Sequence, residues 1–160
     1  MADTKVEQRL VELGIELPPV WVAPPGMNFI SAVQVGELLF LSGHGPNAAD
    51  GNMAYIGKVG AEVSLEEAYQ AARLTGLNLL ATIKNQLGSL DRVVHIVKVL
   101  GMVNAIEGFS QQPQVINGAS DLFVQVFGET VGKHARSAVG MGGLPYNMPV
   151  EIEMIVQVKS

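Results

Sequence analysis

The 160-residue chain contains no cysteine, which removes disulfide bonds, thiolate catalysis and cysteine-ligated zinc together. Charge is also scarce, at 16% of residues against 48% hydrophobic, enough apolar material to bury a substantial core in one domain. The little charge there is leans acidic, with 15 Asp and Glu against 10 Lys and Arg. No cluster of basic residues is present to neutralise phosphates, so no nucleic-acid partner is expected. No apolar run approaches the roughly 20 residues of a membrane span, and residues 1–7 lack a basic segment leading into an apolar one. The expectation is a soluble, cytoplasmic protein. The histidines and carboxylates show no metal-ligand spacing. The glycine-rich stretches Gly43-His44-Gly45 and Gly140-Met141-Gly142-Gly143 have neither a dinucleotide nor a P-loop pattern, so no metal and no cofactor is expected.

What is present reads as alternating short elements. Val6, Leu10 and Leu13 predict a short amphipathic helix ended by Gly14, and Pro18, Pro19, Pro24 and Pro25 then force an extended connector. Residues 30–35 and 38–41 read as strands joined by Gly36-Glu37, a two-residue turn with Gly first. Ser64 with Glu67 three residues later marks the start of the clearest helix, and Gly88 its stop. Gly76 falls on the apolar stripe of that helix, which predicts close packing against a sheet. Residues 92–103 read as a strand with both faces partly covered. Residues 113–127 read as a second helix, although Asn117-Gly118 is a step more typical of hairpins. Val150, Ile152, Met154, Val156 and Val158 alternate with Glu151, Glu153, Gln157 and Lys159 in the last strand, with Ile155 as the exception. Hairpin, helix, strand, helix and two further strands make an α+β layer structure.

The segment Arg136-Ser137-Ala138-Val139, the Leu144-Pro145 turn and Val150-Glu151-Ile152-Glu153 carry the chemistry. Arg136 offers a planar fork of donors that matches a carboxylate in two parallel bonds, and a strand glutamate can activate a water. By composition alone, the same residues also suit a surface ion pair and the wet face of a strand.

In order and content these pieces resemble the Rid family (YjgF-like, reactive intermediate deaminase, endoribonuclease L-PSP-like). The Arg-Ser, Leu-Pro and Val-Glu-Ile-Glu elements are similar to its C-terminal signature. Phe29, Val35-Gly36-Glu37 and Leu41-Ser42-Gly43 are similar to its first hairpin, and Gly76-Leu77-Asn78 and Gly88-Ser89-Leu90-Asp91-Arg92 to its long helix and following turn. These motifs run from about Phe29 to Lys159, leaving residues 1–27 as an N-terminal extension to a domain over 28–160.

The resemblance implies a chorismate-mutase-like sandwich, a mixed sheet with two helices on one face, assembled as a homotrimeric barrel with active sites between subunits. It implies Arg136 as the group that binds a substrate carboxylate and Glu151 as the one that activates water, with Glu153 the competing carboxylate. Ser42, Gly43, Asn117 and Ala138 fall at family positions near the substrate. Phe29 stands where the family has a tyrosine, which removes a hydroxyl from the site. His44 follows the Ser-Gly at the inferred cleft, where a histidine would titrate near neutrality. His95 and His134 read as structural. The implied activity is hydrolytic deamination of reactive enamines or imines to 2-keto acids and ammonia, as in 2-iminobutanoate/2-iminopropanoate deaminases. It needs no cofactor, because an imine is already electrophilic. A trimer that binds carboxylated metabolites without turnover is the alternative. An endoribonuclease fits the acidic balance poorly.

Overall fold

Ser64 Oγ accepts from the Glu67 N–H at 3.2 Å while Glu67 Oε2 accepts from the Ser64 N–H at 2.8 Å, a reciprocal cap worth about 1 kcal/mol. It opens α2 (Leu65–Leu87), which ends at Gly88 in the left-handed region, φ 80°. The computed structural model describes residues 5–160. The first four residues of the expected extension over 1–27 lie outside the described residues. The remaining elements are α1 (Lys5–Glu12), β1 (Ala32–Val35), β2 (Leu38–His44), β3 (Val93–Asn104), α3 (Gln112–Gly132), β4 (Ala135–Met141) and β5 (Val150–Val158).

The strands form one mixed sheet in the order β1-β2-β5-β3-β4, antiparallel except for the β3–β4 pair. That pair is parallel because α3 carries the chain back along the sheet before β4 begins. Helices α2 and α3 cover one face, against Leu39, Leu41, Val99, Val103, Ile152 and Val156. The opposite face is apolar and open: Val33, Val35, Phe40, Val97 and Val139 are all exposed. On β3 this face carries the exposed Val97 but the half-buried Lys98, Leu100 and Met102, so both faces of the strand are partly covered, as the sequence predicts. Ile155 lies opposite Phe40 in the register, so the break in the β5 alternation belongs to this apolar face.

Two glycines set the distance between the helices. Gly76 lies against Leu122, Phe123 and Ala119, so it serves α2–α3 contact and not the helix-to-sheet contact expected from sequence. A Cβ at Gly118 would collide with the backbone carbonyl of Tyr69. Asn117-Gly118 is thus mid-helix, its glycine required by the close approach of α2. Helix α3 is broken at Gly128, φ 78° and ψ 171°, so its main stretch ends at the predicted residue 127 and a short helical piece follows to Gly132.

At the N-terminus, α1 is tied to the domain. Leu10 is buried, the Val6 N–H donates to Asp91 Oδ1 at 2.8 Å, and Lys84 pairs with Glu7 at 2.6 Å.

Candidate functional site

The register of β2 against β5 shifts between Leu41, opposite Met154, and His44, opposite Ile152. Three steps on β2 thus match two on β5, and this bulge re-aims the end of the strand. His44 turns toward the helices and Gly43 faces Glu151. The Glu151 carboxylate lies over Gly43 so closely that a Cβ at position 43 would collide with Oε1.

Beside this contact is a cavity of about 270 Å³. Trp21, Met27 and Phe29 from the connector form one wall, and Met53, Tyr146 and Met148 belong to the other lining segments. Glu151 is the charged side chain that lines it. Burial raises the Glu151 pKa above the ordinary carboxylate value, and the nearby charge of Glu153 raises it further. Glu153 itself lies outside the cavity, in a separate depression with Phe40, Lys98 and Ser137.

Of the residues expected near substrate, Phe29, Gly43 and His44 line the cavity with Glu151. His44 corrects the expectation of a titrating group. It is 6% exposed, Nδ1 contacts the Ser42 carbonyl at 2.7 Å and Nε2 contacts Thr82 Oγ1 at 2.8 Å. A carbonyl only accepts, so Nδ1 carries the proton and Nε2 accepts from the Thr82 hydroxyl. Burial lowers the His44 pKa, partly opposed by the Ser42 carbonyl. The ring is a neutral strut. Ser42 is committed as well: its hydroxyl donates to the Ile30 carbonyl at 2.7 Å and its N–H to the Ser31 carbonyl at 2.9 Å, fastening the connector to β2.

Arg136 is elsewhere. It sits on β4, an edge strand, opposite Val99 and on the helix side of the sheet, where Nη1 donates to Asn117 Oδ1 at 2.8 Å and Ser120 Oγ at 3.1 Å. Ser120 in turn contacts His134 Nε2 at 3.0 Å, and His134 Nδ1 donates to the Gly132 carbonyl at 2.6 Å. Burial lowers the His134 pKa, opposed by that carbonyl and reinforced by Arg136. An amide and a hydroxyl therefore hold one side of the guanidinium, with the His134 ring orienting the hydroxyl from behind. Among the described residues no carboxylate pairs with it. Ala138 packs on the core from the same strand, opposite Gly101, and does not line the cavity. Glu151 lies opposite Met102 and Arg136 opposite Val99, so their backbones are two strands and three residues apart, roughly 14 Å. A single chain does not bring them into one cleft.

Several residues that shape the site had no motif to reveal them. Asn78 Nδ2 donates to the carbonyls of Asn47 at 2.9 Å and Gly45 at 3.3 Å, fixing the loop after β2. Lys58 Nζ donates to Asn104 Oδ1 and to the Gly142 carbonyl, both at 2.7 Å, and Asn104 Nδ2 donates to Asn147 Oδ1 at 3.0 Å. This network holds Asn147, which with Tyr146 makes a consecutive non-glycine pair at φ 53° and 55°, in the turn before β5. Trp21 had one signal, as the sole tryptophan and set within the proline-rich connector.

Residues 7–157 match the family model described as "YjgF/chorismate_mutase-like, putative endoribonuclease". That match reaches further toward the N-terminus than the motifs read from the sequence, taking in most of α1 and the connector. The chain is 40% identical to Protein TCP17 of Trypanosoma cruzi, covering 100% of this chain and 98% of that protein. The crystal structure of Atu1372 from Agrobacterium tumefaciens, a protein of unknown function, is 40% identical with TM-score 0.87, covering 99% of this chain and 94% of the other. YyfA of Yersinia pestis, a Rid-family protein also of unknown function, is 25% identical with TM-score 0.59, over 88% and 93%. The family model spans nearly the whole chain, the fold superposes on that of Atu1372 over almost its full length, and the chain belongs to the YjgF/Rid family.

Proposed function

We propose that this protein hydrolytically deaminates reactive enamines and imines derived from amino acids, releasing a 2-keto acid and ammonia, at a site formed between copies of a homotrimer. The observation that carries the proposal is the state of Glu151, a carboxylate with raised basicity in an apolar cavity, directly over a glycine. Such a group suits a general base acting near neutral pH.

Glu151 would take a proton from a water as its oxygen attacks the C=N carbon. With the imine entering in its protonated form, the resulting neutral carbinolamine would receive that proton at nitrogen, and Glu151 would take the hydroxyl proton as the C–N bond breaks, which releases ammonia and leaves the keto group. Arg136 would hold the substrate carboxylate through the side of its fork not used by Asn117 and Ser120. Charge-assisted bonds of this kind contribute roughly 1.5–3 kcal/mol each before desolvation.

Placement supports an intersubunit site. Arg136 is on the edge strand β4, whereas the Glu151 cavity is built by β2, the connector and the start of β5, toward the other side of the sheet. Head-to-tail association would bring one copy's Arg136 to the next copy's Glu151, and a heterologous contact of this kind closes as a ring. The apolar face bearing Val33, Phe40, Val97 and Val139 supplies surface for such an assembly. The test is ammonia and keto-acid release from imines generated by an amino-acid oxidase. Accelerated release by the protein, lost in Glu151→Gln, supports the reading, and no acceleration with any imine refutes it.

A further inference from the structure

The connector does more than cross the surface. Pro24, Pro25, Gly26 and Met27 form a tight turn in which the Met27 N–H donates to the Pro24 carbonyl at 3.2 Å, with Gly26 at φ 94°. Proline then glycine at the two central positions is the chemistry of a type II turn. Across it, the rings of Trp21 and Phe29 stack with centroids 6.1 Å apart and planes 20° from parallel. The far end of the connector is fastened to β2 by the two Ser42 hydrogen bonds described above. These restraints place Trp21, Met27 and Phe29 as a wall of the Glu151 cavity.

Apart from Glu151 and the exposed Tyr146, the polar side chains in the lining are already occupied. Both nitrogens of His44 are engaged, Asn78 Nδ2 holds the Asn47 and Gly45 carbonyls, and Asn47 Nδ2 donates to the Gly51 carbonyl at 3.2 Å. A polar substrate side chain would find few partners here and would lose its hydration. Met27, Met53 and Met148 contribute thioethers, which adapt their shape and pack well on aromatic rings. The volume, about 270 Å³, is that of roughly nine waters at ~30 Å³ each, room for a side chain of leucine or phenylalanine size.

We propose that the wall of Trp21, Met27 and Phe29 is a specificity subsite that selects 2-imino acids, and the corresponding 2-keto acids, with bulky apolar side chains over those with small or polar ones. The substrate class rests on the deaminase reading of the same site, whereas the wall and its apolar preference stand on geometry alone. Trp21 is the single tryptophan of the chain, so its emission reports on the wall directly.

The test is binding without turnover. Pyruvate and 4-methyl-2-oxopentanoate are titrated into the full-length protein, followed by Trp21 emission and by calorimetry. The expected result is a shift in emission with 4-methyl-2-oxopentanoate and an affinity about tenfold or more above that for pyruvate. In Trp21→Ala, followed by calorimetry, that preference should fall to about threefold or less, with pyruvate affinity little changed, and Trp21→Phe should keep most of it. Met27→Ala, which leaves the ring stack in place, gives a second reading should Trp21→Ala melt early. Equal affinities in the wild type, equal losses for both ligands in the variants, or no binding of either at millimolar concentration would overturn the proposal. Discrimination without ammonia release from any imine would instead refute the deaminase reading and leave the subsite standing.

Discussion

Gly43 and Glu151 face each other across the β2–β5 pair with no space for a side chain on the glycine, so the position of the carboxylate depends on a missing Cβ. Gly43 does not adopt a positive φ, so its requirement here is for space and not for backbone conformation. Gly43→Ala should therefore displace the carboxylate while the bulge survives. Imine turnover should fall by about 100-fold, within the range a positioned general base supplies, with little change in melting temperature. Parallel kinetics and thermal melts check this, and an alanine variant of full activity would detach Glu151 from the reaction.

The pH profile follows from the cause of the Glu151 shift. Burial and Glu153 raise its pKa above the ordinary 4.5, and the base must be ionised to act. The rate constant kcat/KM should rise with pH through an inflection above 4.5, and Glu153→Gln should move that inflection down by removing one negative neighbour. Stability has the opposite sense. A carboxyl with a raised folded pKa contributes stability fully present below the unfolded value, and that contribution is lost as pH rises through the folded one. Glu151→Gln should thus gain most in melting temperature, relative to the wild type, above that window.

Arg136 is held on one side only. Arg136→Lys keeps the charge and loses the planar fork, so it should lower kcat/KM by about 100-fold or more with assembly intact. Light scattering should return about 51 kDa for both proteins, three times the 17.0 kDa chain. Full activity in Arg136→Lys would remove the carboxylate clamp.

Gly118 tests the packing of α3 on α2. A Cβ there meets the Tyr69 carbonyl, which is backbone and cannot rotate away. Gly118→Ala should destabilise the chain by about 3 kcal/mol in urea unfolding, despite the better helix propensity of alanine.

The elements most legible in the sequence were those whose signals are local. The Ser64–Glu67 cap, the Gly36-Glu37 turn and the alternation of β5 each depend on residues within a few positions of one another, and each stands where expected. Misreadings arose where a distant partner decides. Gly76 and Gly118 carry no mark that another helix lies above them, and Ile155 reads as an exception until Phe40 is seen beside it. The same holds in the site. Gly43 and Glu151 were legible as motif positions, but the bulge that turns His44 inward and commits its ring to Thr82 was not. Nor could the sequence show that Asn117 holds Arg136, or that Trp21 folds back over Phe29 to wall the cavity.

The central claim is that one copy's Arg136 works with another copy's Glu151, and mixed trimers test it most directly. Arg136→Ala and Glu151→Gln chains, each inactive alone, are co-expressed at equal levels with different tags and purified together. In a random head-to-tail ring about one site in four pairs an intact Arg136 with an intact Glu151, so ammonia release from imines should recover to about a quarter of the wild-type rate. A mixture as inactive as its two parents, with mixed trimers demonstrated by the tags, would contradict the account.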